Sequence, residues 1–454
     1  MKSPAQEGAT AIDPAAQTWP PPRQAWYAVG IMTVALMFNF LDRGILTLLI
    51  EPIKRDMGLT DTQVSLVVGF AFIAFYVIVG FPIARLVDRF SRRLILGLGI
   101  AMWSGMTAMC GLAQNFWHLF AARVGVGIGE ACNGPATFSL MADLFPKEKL
   151  PKAISVLNMG FAYGQGIALL VGGTVIGAVS NLPEITLPLL GQVRPWQLTF
   201  FAVGLPGLIV AALMSTVKEP VRRGTLVPTG GAKAPPDQIP VREVMRYLID
   251  HRAAYIPMFL GLAVQGIMII GTIAWTPSFF IRTHGWDIAK FGQVFGLILM
   301  FIMPLGLMFG GWLAEHLAKK GYHDANMRIV VVVSALIFPT LVAMPLVADP
   351  WVAIALLALQ NFIAAWQFGP QNAAFQVITP NRMRGQVTAL FLFLFNFVGF
   401  GLGPTFIAVI TDYVFGSENQ LRYALALAAL VMEPLAVYIF WKGMKPYGEI
   451  VARG

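Results

Sequence analysis

The chain has 454 residues, 57% hydrophobic and 12% charged, with a mean hydropathy of +0.69 and a formal net charge of +9. Ordinary soluble domains carry about 25% charged residues, and so much apolar surface cannot be hidden from water by a chain of this size, so a soluble globular protein is excluded. The basic excess does not mark nucleic-acid binding, because Lys and Arg cluster in short segments between apolar runs instead of lining one face.

In chain order, residues 1–25 are rich in Ala, Pro and Gln with no apolar core before Trp26, so they read as a polar tail and not a cleaved signal. Crossing a hydrocarbon core takes about 20 apolar residues. Runs of that kind predict spans 1 to 6 at Trp26–Ile50, Thr62–Ala84, Leu94–Ala113, Trp117–Met141, Ala153–Val179 and Gln197–Val217. A polar, basic, Pro/Gly-bearing linker follows over 218–252. Spans 7 to 12 come next, at Ala253–Ile281, Ile288–Leu313, Ile329–Val347, Trp351–Ile378, Val387–Thr411 and Leu421–Trp441, with a short tail at 443–454. The expected fold class is an all-α integral membrane protein of twelve transmembrane helices. They fall in two pseudo-symmetric six-helix bundles, 26–217 and 253–442.

With the N-terminus cytoplasmic, Lys54, Arg55, Arg194, Arg282, Lys290 and Arg422 face the opposite side, Arg43 and Arg123 lie within spans, and the other 24 of 32 Lys/Arg are cytoplasmic. The positive-inside rule therefore places both termini in the cytoplasm, as for a multi-pass protein of the inner membrane. The halves echo each other. Ala84-Arg-Leu-Val-Asp88 after span 2 is answered by Gly311-Trp-Leu-Ala-Glu315 after span 8, and Pro146 after span 4 by Pro380 after span 10, at nearly equal offsets. Such internal repeats are expected where two bundles rock about a central site.

Absences narrow the function. No Gly-x-x-x-x-Gly-Lys-Ser/Thr loop occurs, and Gly125-Val-Gly-Ile-Gly129 lies mid-span with no strand before it, so no nucleotide is expected. The five histidines form no metal-ligand cluster, no nucleophile set assembles at one depth, and Cys110 and Cys132 sit in apolar runs. Neither an enzyme nor a cofactor is expected. Glycines in spans 5 and 11 (Gly160, Gly164, Gly172, Gly173, Gly177, Gly399, Gly401, Gly403) permit close helix contact.

A charge at the bilayer centre costs at least about 2.5–3.5 kcal/mol, so ionisable residues there are functional candidates. They are Asp42, Arg43, Arg123, Glu130 and, near the predicted end of span 12, Glu433. At a 1.5 Å rise, Asp42 and Arg43 lie roughly 25 Å above the cytoplasmic end of span 1, with Glu130 roughly 17 Å and Arg123 roughly 27 Å above the same face. An Arg43–Glu130 pair is reachable, and Asp42 can sit level with Arg123. A purely structural charge network joining spans 1 and 4 would use the same residues.

The stretch Asp88-Arg89-Phe-Ser-Arg92-Arg93 resembles the signature loop of the major facilitator superfamily. That resemblance implies a conformational latch made by Asp88 with Arg89, Arg92 and Arg93, although Ala84 replaces the usual glycine and the second copy is reduced to Glu315 and His316. Asn39-Phe-Leu-Asp42-Arg43, the run from Phe116 to Ala131, and Leu402-Gly-Pro404 are similar to the Spinster branch, which exports lysophospholipids and sphingosine phosphates. The Leu-Asp-Arg of span 1 also occurs in anion:cation symporters.

The resemblance implies a secondary transporter, monomeric, moving an amphiphilic phosphate-headed lipid among membrane lipids. Arginine binds phosphate bidentately and stays charged. Arg43 is thus the candidate phosphate ligand, Glu130 its partner in the empty site, and Arg123 a member of the charge network. A buried carboxylate is pulled in opposite senses by desolvation and by a neighbouring arginine, so Asp42 and Glu130 are the candidate proton carriers. Asn39, Asn133, Gln367 and Asn372 are further substrate-binding candidates, with Gln165, Gln371 and Asn396 facing the same cavity. Trp275, Tyr163 and Phe138 are candidate acyl-chain contacts, though aromatics in spans are mostly packing. Two other readings use the same sequence: a small organic-anion/proton symporter, and a non-transporting receptor or scaffold.

Overall fold

The computed structural model describes residues 19–146, 148–180, 185–187, 191–222 and 240–453. The N-terminal tail up to residue 18 and the middle of the linker, 223–239, lie outside the described residues. Eleven helical stretches among the described residues are long and apolar enough to cross a membrane. The twelfth crossing, span 4, is split into Phe116–Glu130 and Asn133–Leu144.

That split has a sequence cause, and it occurs twice. Pro135 has no N–H to offer the carbonyl of Ala131, and Pro370 none for Trp366, so each helix breaks one turn before its proline. Span 10 is accordingly Pro350–Ala365 followed by Phe368–Ile378. The helices restart alike, with Ala136 N–H donating to Cys132 O at 3.0 Å and Gln371 N–H to Gln367 O at 2.8 Å.

The remaining spans are Pro22–Leu48, Asp61–Arg89, Arg92–Cys110, Leu150–Ser180 and Pro195–Thr216 in the first half. In the second they are Arg252–His284, Ile288–Lys319, Ala325–Leu346, Arg384–Val409 and Leu421–Arg453. Two departures from the sequence reading stand out. The linker ends in an amphipathic helix, Val241–Asp250, that buries Val244 and Leu248. Span 12 continues as helix to Arg453, so 443–453 is not an irregular tail and Glu433 lies well inside the helix. A small hairpin before span 6 pairs Ile185 with Val193.

Both bundles meet along two seams. Spans 5 and 8 approach through glycines: a Cβ on Gly166 would lie 2.7 Å from Gly296 O, and one on Gly173 would lie 3.0 Å from the Gly292 Cα. Spans 2 and 11 meet where a Cβ on Gly69 would lie 2.0 Å from Phe400 O, so no larger residue fits there. Gly69 belongs to a π-helical segment, Leu66–Phe70, and span 11 ends in a second one, Ile410–Phe415.

The core divides by depth. Toward the face away from the chain termini, called here the distal face, one apolar core runs through both bundles, joining Ile45, Leu119 and Phe200 to Trp275, Phe291 and Leu425. Toward the terminal face each bundle has its own core, one around Trp103 and Leu140, the other around Tyr255, Phe375 and Phe440. The bundles are fused at the distal side and separate at the terminal side.

Candidate functional site

Spans 1 and 4 bring four charges together inside the N-terminal bundle. Arg43 donates from Nη2 and Nε to one oxygen of Glu130, at 2.6 and 3.1 Å. Glu130 is fully buried, whereas the Arg43 side chain keeps 21% of its exposure. The other Glu130 oxygen has no hydrogen-bond partner, and buried Asn39 lies beside the carboxylate. Asp42 accepts from Thr107 Oγ1 at 2.5 Å, and its second oxygen stands 3.8 Å from Arg123 Nη1. That pair is loose: Asp42 Oδ2 and Arg123 Nε and Nη1 all lack hydrogen-bond partners.

Aromatic rings hold the arginines in place. The Arg43 guanidinium carbon lies 4.5 Å from the centroid of Phe72, with Phe400, Phe40 and Tyr76 at 5.5 to 5.9 Å. Phe72 also carries Arg123, at 5.6 Å. Cations over ring faces gain about 0.5–2 kcal/mol, more when desolvated. Phe400 comes from the C-terminal bundle, so Arg43 already touches both halves. Gly127 makes this possible, since a Cβ there would lie 2.3 Å from Phe72 O.

The polar candidates separate into two groups. Asn39 adjoins Glu130, and Gln367 is buried at the break in span 10 with Oε1 unpartnered. Asn133 accepts from Thr137 within its own helix, while Asn372 and Asn396 donate back to Phe368 O and Leu392 O. Those three satisfy their own helices and are not drawn to the charges. Trp275 is wholly buried, its Nε1 donating to Pro404 O at 2.8 Å, so it is a packing residue of the distal seal; Phe138 is 52% exposed.

In the loop between spans 2 and 3 the expected latch residues are split in this structure. Asp88 and Arg89 are exposed, and Arg92 does not pair with Asp88. Arg92 instead binds Asp143 at the end of span 4 and Glu219 after span 6, the latter through Nε at 2.8 Å. Glu219 also accepts from Ser91 Oγ and from the N–H of Arg93, at 2.8 and 2.9 Å. Its carboxylate therefore sits on the first turn of span 3, where the helix dipole favours negative charge. Arg93 donates to Val217 O at 3.0 Å. Arg92 is buried and Asp88 exposed, whereas Asp143 is buried and Glu219 half-buried beside the guanidinium, and a pair shielded from water is worth more than one in it.

A second charged site escaped the sequence reading. Arg282 donates to Glu51 at 2.9 Å and to both oxygens of Asp61 at 2.7 and 2.8 Å, while Lys54 binds Asp61 and reaches Glu418 at 3.0 Å. Thr62 adds two hydrogen bonds to Asp412 at 2.6 and 2.7 Å. Among the described residues, every ion pair joining the bundles lies in this distal cluster. The available signal was the pairing of acidic and basic residues flanking spans 1, 2 and 7, read only as side-of-membrane markers. A distal cleft of about 550 Å³, lined by Lys54, Arg55, Asp412 and Glu418, is the outer mouth of this seal.

Fold and charges together describe two six-helix bundles closed at one face around a buried arginine. A family model described as Major Facilitator Superfamily matches residues 32–404. The chain belongs to the Major Facilitator Superfamily. It is similar to an MFS-type efflux pump of Mycolicibacterium smegmatis, 27% identical over 94% of each chain. It is also similar to a probable L-galactonate transporter of Escherichia coli, 24% identical over 91% of this chain and 88% of the relative. Its fold matches the crystal structure of a bacterial homolog to the human lysosomal transporter Spinster in an inward-facing and unoccupied conformation. The TM-score is 0.79 at 24% identity, covering 95% of this chain and 98% of the other. As a superfamily member the chain is a multi-pass secondary transporter and not an enzyme.

Proposed function

We propose that this transporter moves an amphiphile with an anionic phosphate head, a lysophospholipid or a close analogue, by alternating access. The observation that carries the reading is Arg43: a guanidinium ringed by four aromatics, partly exposed, and held by a single carboxylate oxygen. Its planar fork suits a phosphate, which can replace Glu130, while the rings accept the glycerol and the first methylenes. With both termini cytoplasmic in the inner membrane, the distal seal is periplasmic and the site opens inward. Glu130 releases Arg43 when substrate arrives, Asp42 exchanges a proton, and Arg123 holds Asp42. Asn39 and Gln367 contact the head group from the two bundles. Asn133 and Asn372 join them after rotamer changes, and Asp88 with Arg89 engages in the opposite conformation. The transporter acts as a monomer.

A second reading has its own support. The E. coli relative is named as a probable L-galactonate transporter, and the same arginines would grip a carboxylate. Proteoliposome uptake of a labelled lysolipid against a labelled sugar acid decides between them. Saturable lysolipid flux abolished by Arg43→Ala supports the proposal. Sugar-acid flux with no lysolipid flux overturns it.

A further inference from the structure

Glu433 lies in span 12, wholly buried, and neither of its carboxyl oxygens has a hydrogen-bond partner. The helices packed against span 12 bring no charge to it. Their charged and titratable groups sit toward the helix ends: Arg252, Tyr255, Arg282 and His284 on span 7, Arg328 on span 9, Arg384 on span 11, and Asp412, Tyr413 and Glu418 in the π-helical and 3-10 turns that follow it. The lower half of span 10, Phe368–Ile378, has none. On span 12 itself Tyr438 is exposed, and Lys442 and Arg422 are roughly 14 and 17 Å away along the axis.

An isolated carboxylate in that setting costs many kcal/mol, and such groups neutralise instead. A neutral acid also gains what the anion lacks, a hydroxyl to donate. The surroundings supply acceptors for it. Pro434, the next residue, has no N–H, so the carbonyl of Leu430 loses its usual helical donor. Gly261 of span 7 lies against the Phe440 ring and Gly443 against Pro257, which fixes the antiparallel register of the two helices. Gln265, one turn from Gly261 on the same face, donates from Nε2 to Ser334 Oγ at 2.7 Å and leaves its Oε1 unpartnered. Free acceptors without a free cation describe a place for a proton.

We propose that Glu433 is a proton-binding site of the C-terminal bundle, a neutral carboxylic acid donating its hydroxyl to the Leu430 carbonyl that Pro434 leaves free. The C-terminal bundle then has a titratable group of its own, on a different set of helices from Asp42 and Glu130. The site is independent of what Arg43 binds.

Infrared spectra of the full-length transporter in lipid nanodiscs at neutral pH test this. Glu433→Gln, close in shape and neutral, should lack one protonated-carboxyl C=O band present in the wild type. Pro434→Ala, which restores the N–H to Leu430 O, should keep that band and move it to higher frequency as its hydrogen bond weakens. The proposal is overturned if Glu433→Gln loses a carboxylate band instead, or loses no band. An unmoved band in Pro434→Ala overturns Leu430 as the acceptor. If Glu433→Gln does not assemble, the Pro434→Ala shift alone decides.

Discussion

The two bundles share a backbone device and differ in what it carries. Spans 4 and 10 each break one turn before a proline, Pro135 or Pro370, at corresponding places. In span 4 the break follows Glu130, with Arg123 two turns earlier on the same helix and Asp42 and Arg43 facing them from span 1. In span 10 the corresponding surroundings are neutral: Ala365, Trp366 and Gln367. Among the described residues the one deeply buried acid of the C-terminal bundle is Glu433 on span 12, while Arg282 and Glu418 serve the distal seal. The helix break occurs in both halves, and buried charge accompanies it in one of them.

The largest expected effects come from emptying the loaded half. Removing one partner of a buried ion pair costs about 3–5 kcal/mol. Arg43→Ala should therefore abolish lysolipid binding, while Arg43→Lys should recover part of it, because an ammonium lacks the fork. Glu130→Gln should bind at least as well as wild type and turn over poorly, since phosphate replaces the missing carboxylate but nothing displaces it afterwards. Affinity and proteoliposome flux, measured side by side, check all three. Equal loss of binding in Glu130→Gln and Arg43→Ala would make Glu130 a ligand or a strut, not an exchange partner.

Next comes the contribution of the C-terminal bundle. Arg282→Ala removes hydrogen bonds to Glu51 and Asp61 from a side chain only 6% exposed. Charge-assisted bonds are worth about 1.5–3 kcal/mol each, so the closed distal face should lose at least a factor of ten in population. A cysteine placed at Ser65, which faces Thr405 across the seam, should then react faster with an impermeant maleimide added from the distal side. Unchanged labelling would mean that the glycine seams alone hold the face shut.

A smaller effect separates the twin hinges. Pro135→Ala and Pro370→Ala each restore a backbone donor, and a regained hydrogen bond is worth about 1 kcal/mol, so both should raise thermal stability slightly. Only Pro135→Ala moves Glu130 relative to Arg43, so flux should fall several-fold there and less in Pro370→Ala. Equal losses would show that the hinges, and not their cargo, set the rate.

Much of this was legible in the sequence, for identifiable reasons. Twelve crossings follow from apolar run length, and the charged residues of spans 1 and 4 follow from the cost of burying them. The Arg43–Glu130 contact was within reach of a helical-rise argument, because the helix of span 4 resumes only two residues after its break. Thr107 and Phe72, which fix Asp42 and the arginines, were not legible; a hydroxyl or a ring in a span looks the same whether it packs or supports a charge. The partners Arg92 takes in this structure were not legible either: the family resemblance pointed to Asp88, while the fold brings Asp143 and Glu219 to it from distant segments.

The two copies of the loop motif differ in how their charges are held. At the N-terminal copy Glu219, from the segment after span 6, is half-buried between Arg92, the Arg93 N–H and Ser91. Burial disfavours its charged form, but the hydrogen bonds from Arg92, Arg93 and Ser91 outweigh that and hold its carboxyl below the ordinary glutamate value. A carboxyl with a lowered folded pKa stabilises the protein above the ordinary value of about 4.3 and loses that contribution as pH falls through the folded value. In the C-terminal copy the acid is Glu315, the counterpart of Asp88, and it forms only an i,i+4 pair with Lys319 in which both side chains are more than half exposed, where solvent screens the attraction. Thermal unfolding in detergent from pH 7 down to about pH 3 should therefore show an acid-side drop in melting temperature that is reduced in Glu219→Gln. The drop should be unchanged in Glu315→Gln. If the two variants behave alike, the acid sensitivity belongs elsewhere, and the Arg92–Glu219 contact does not distinguish the two loops.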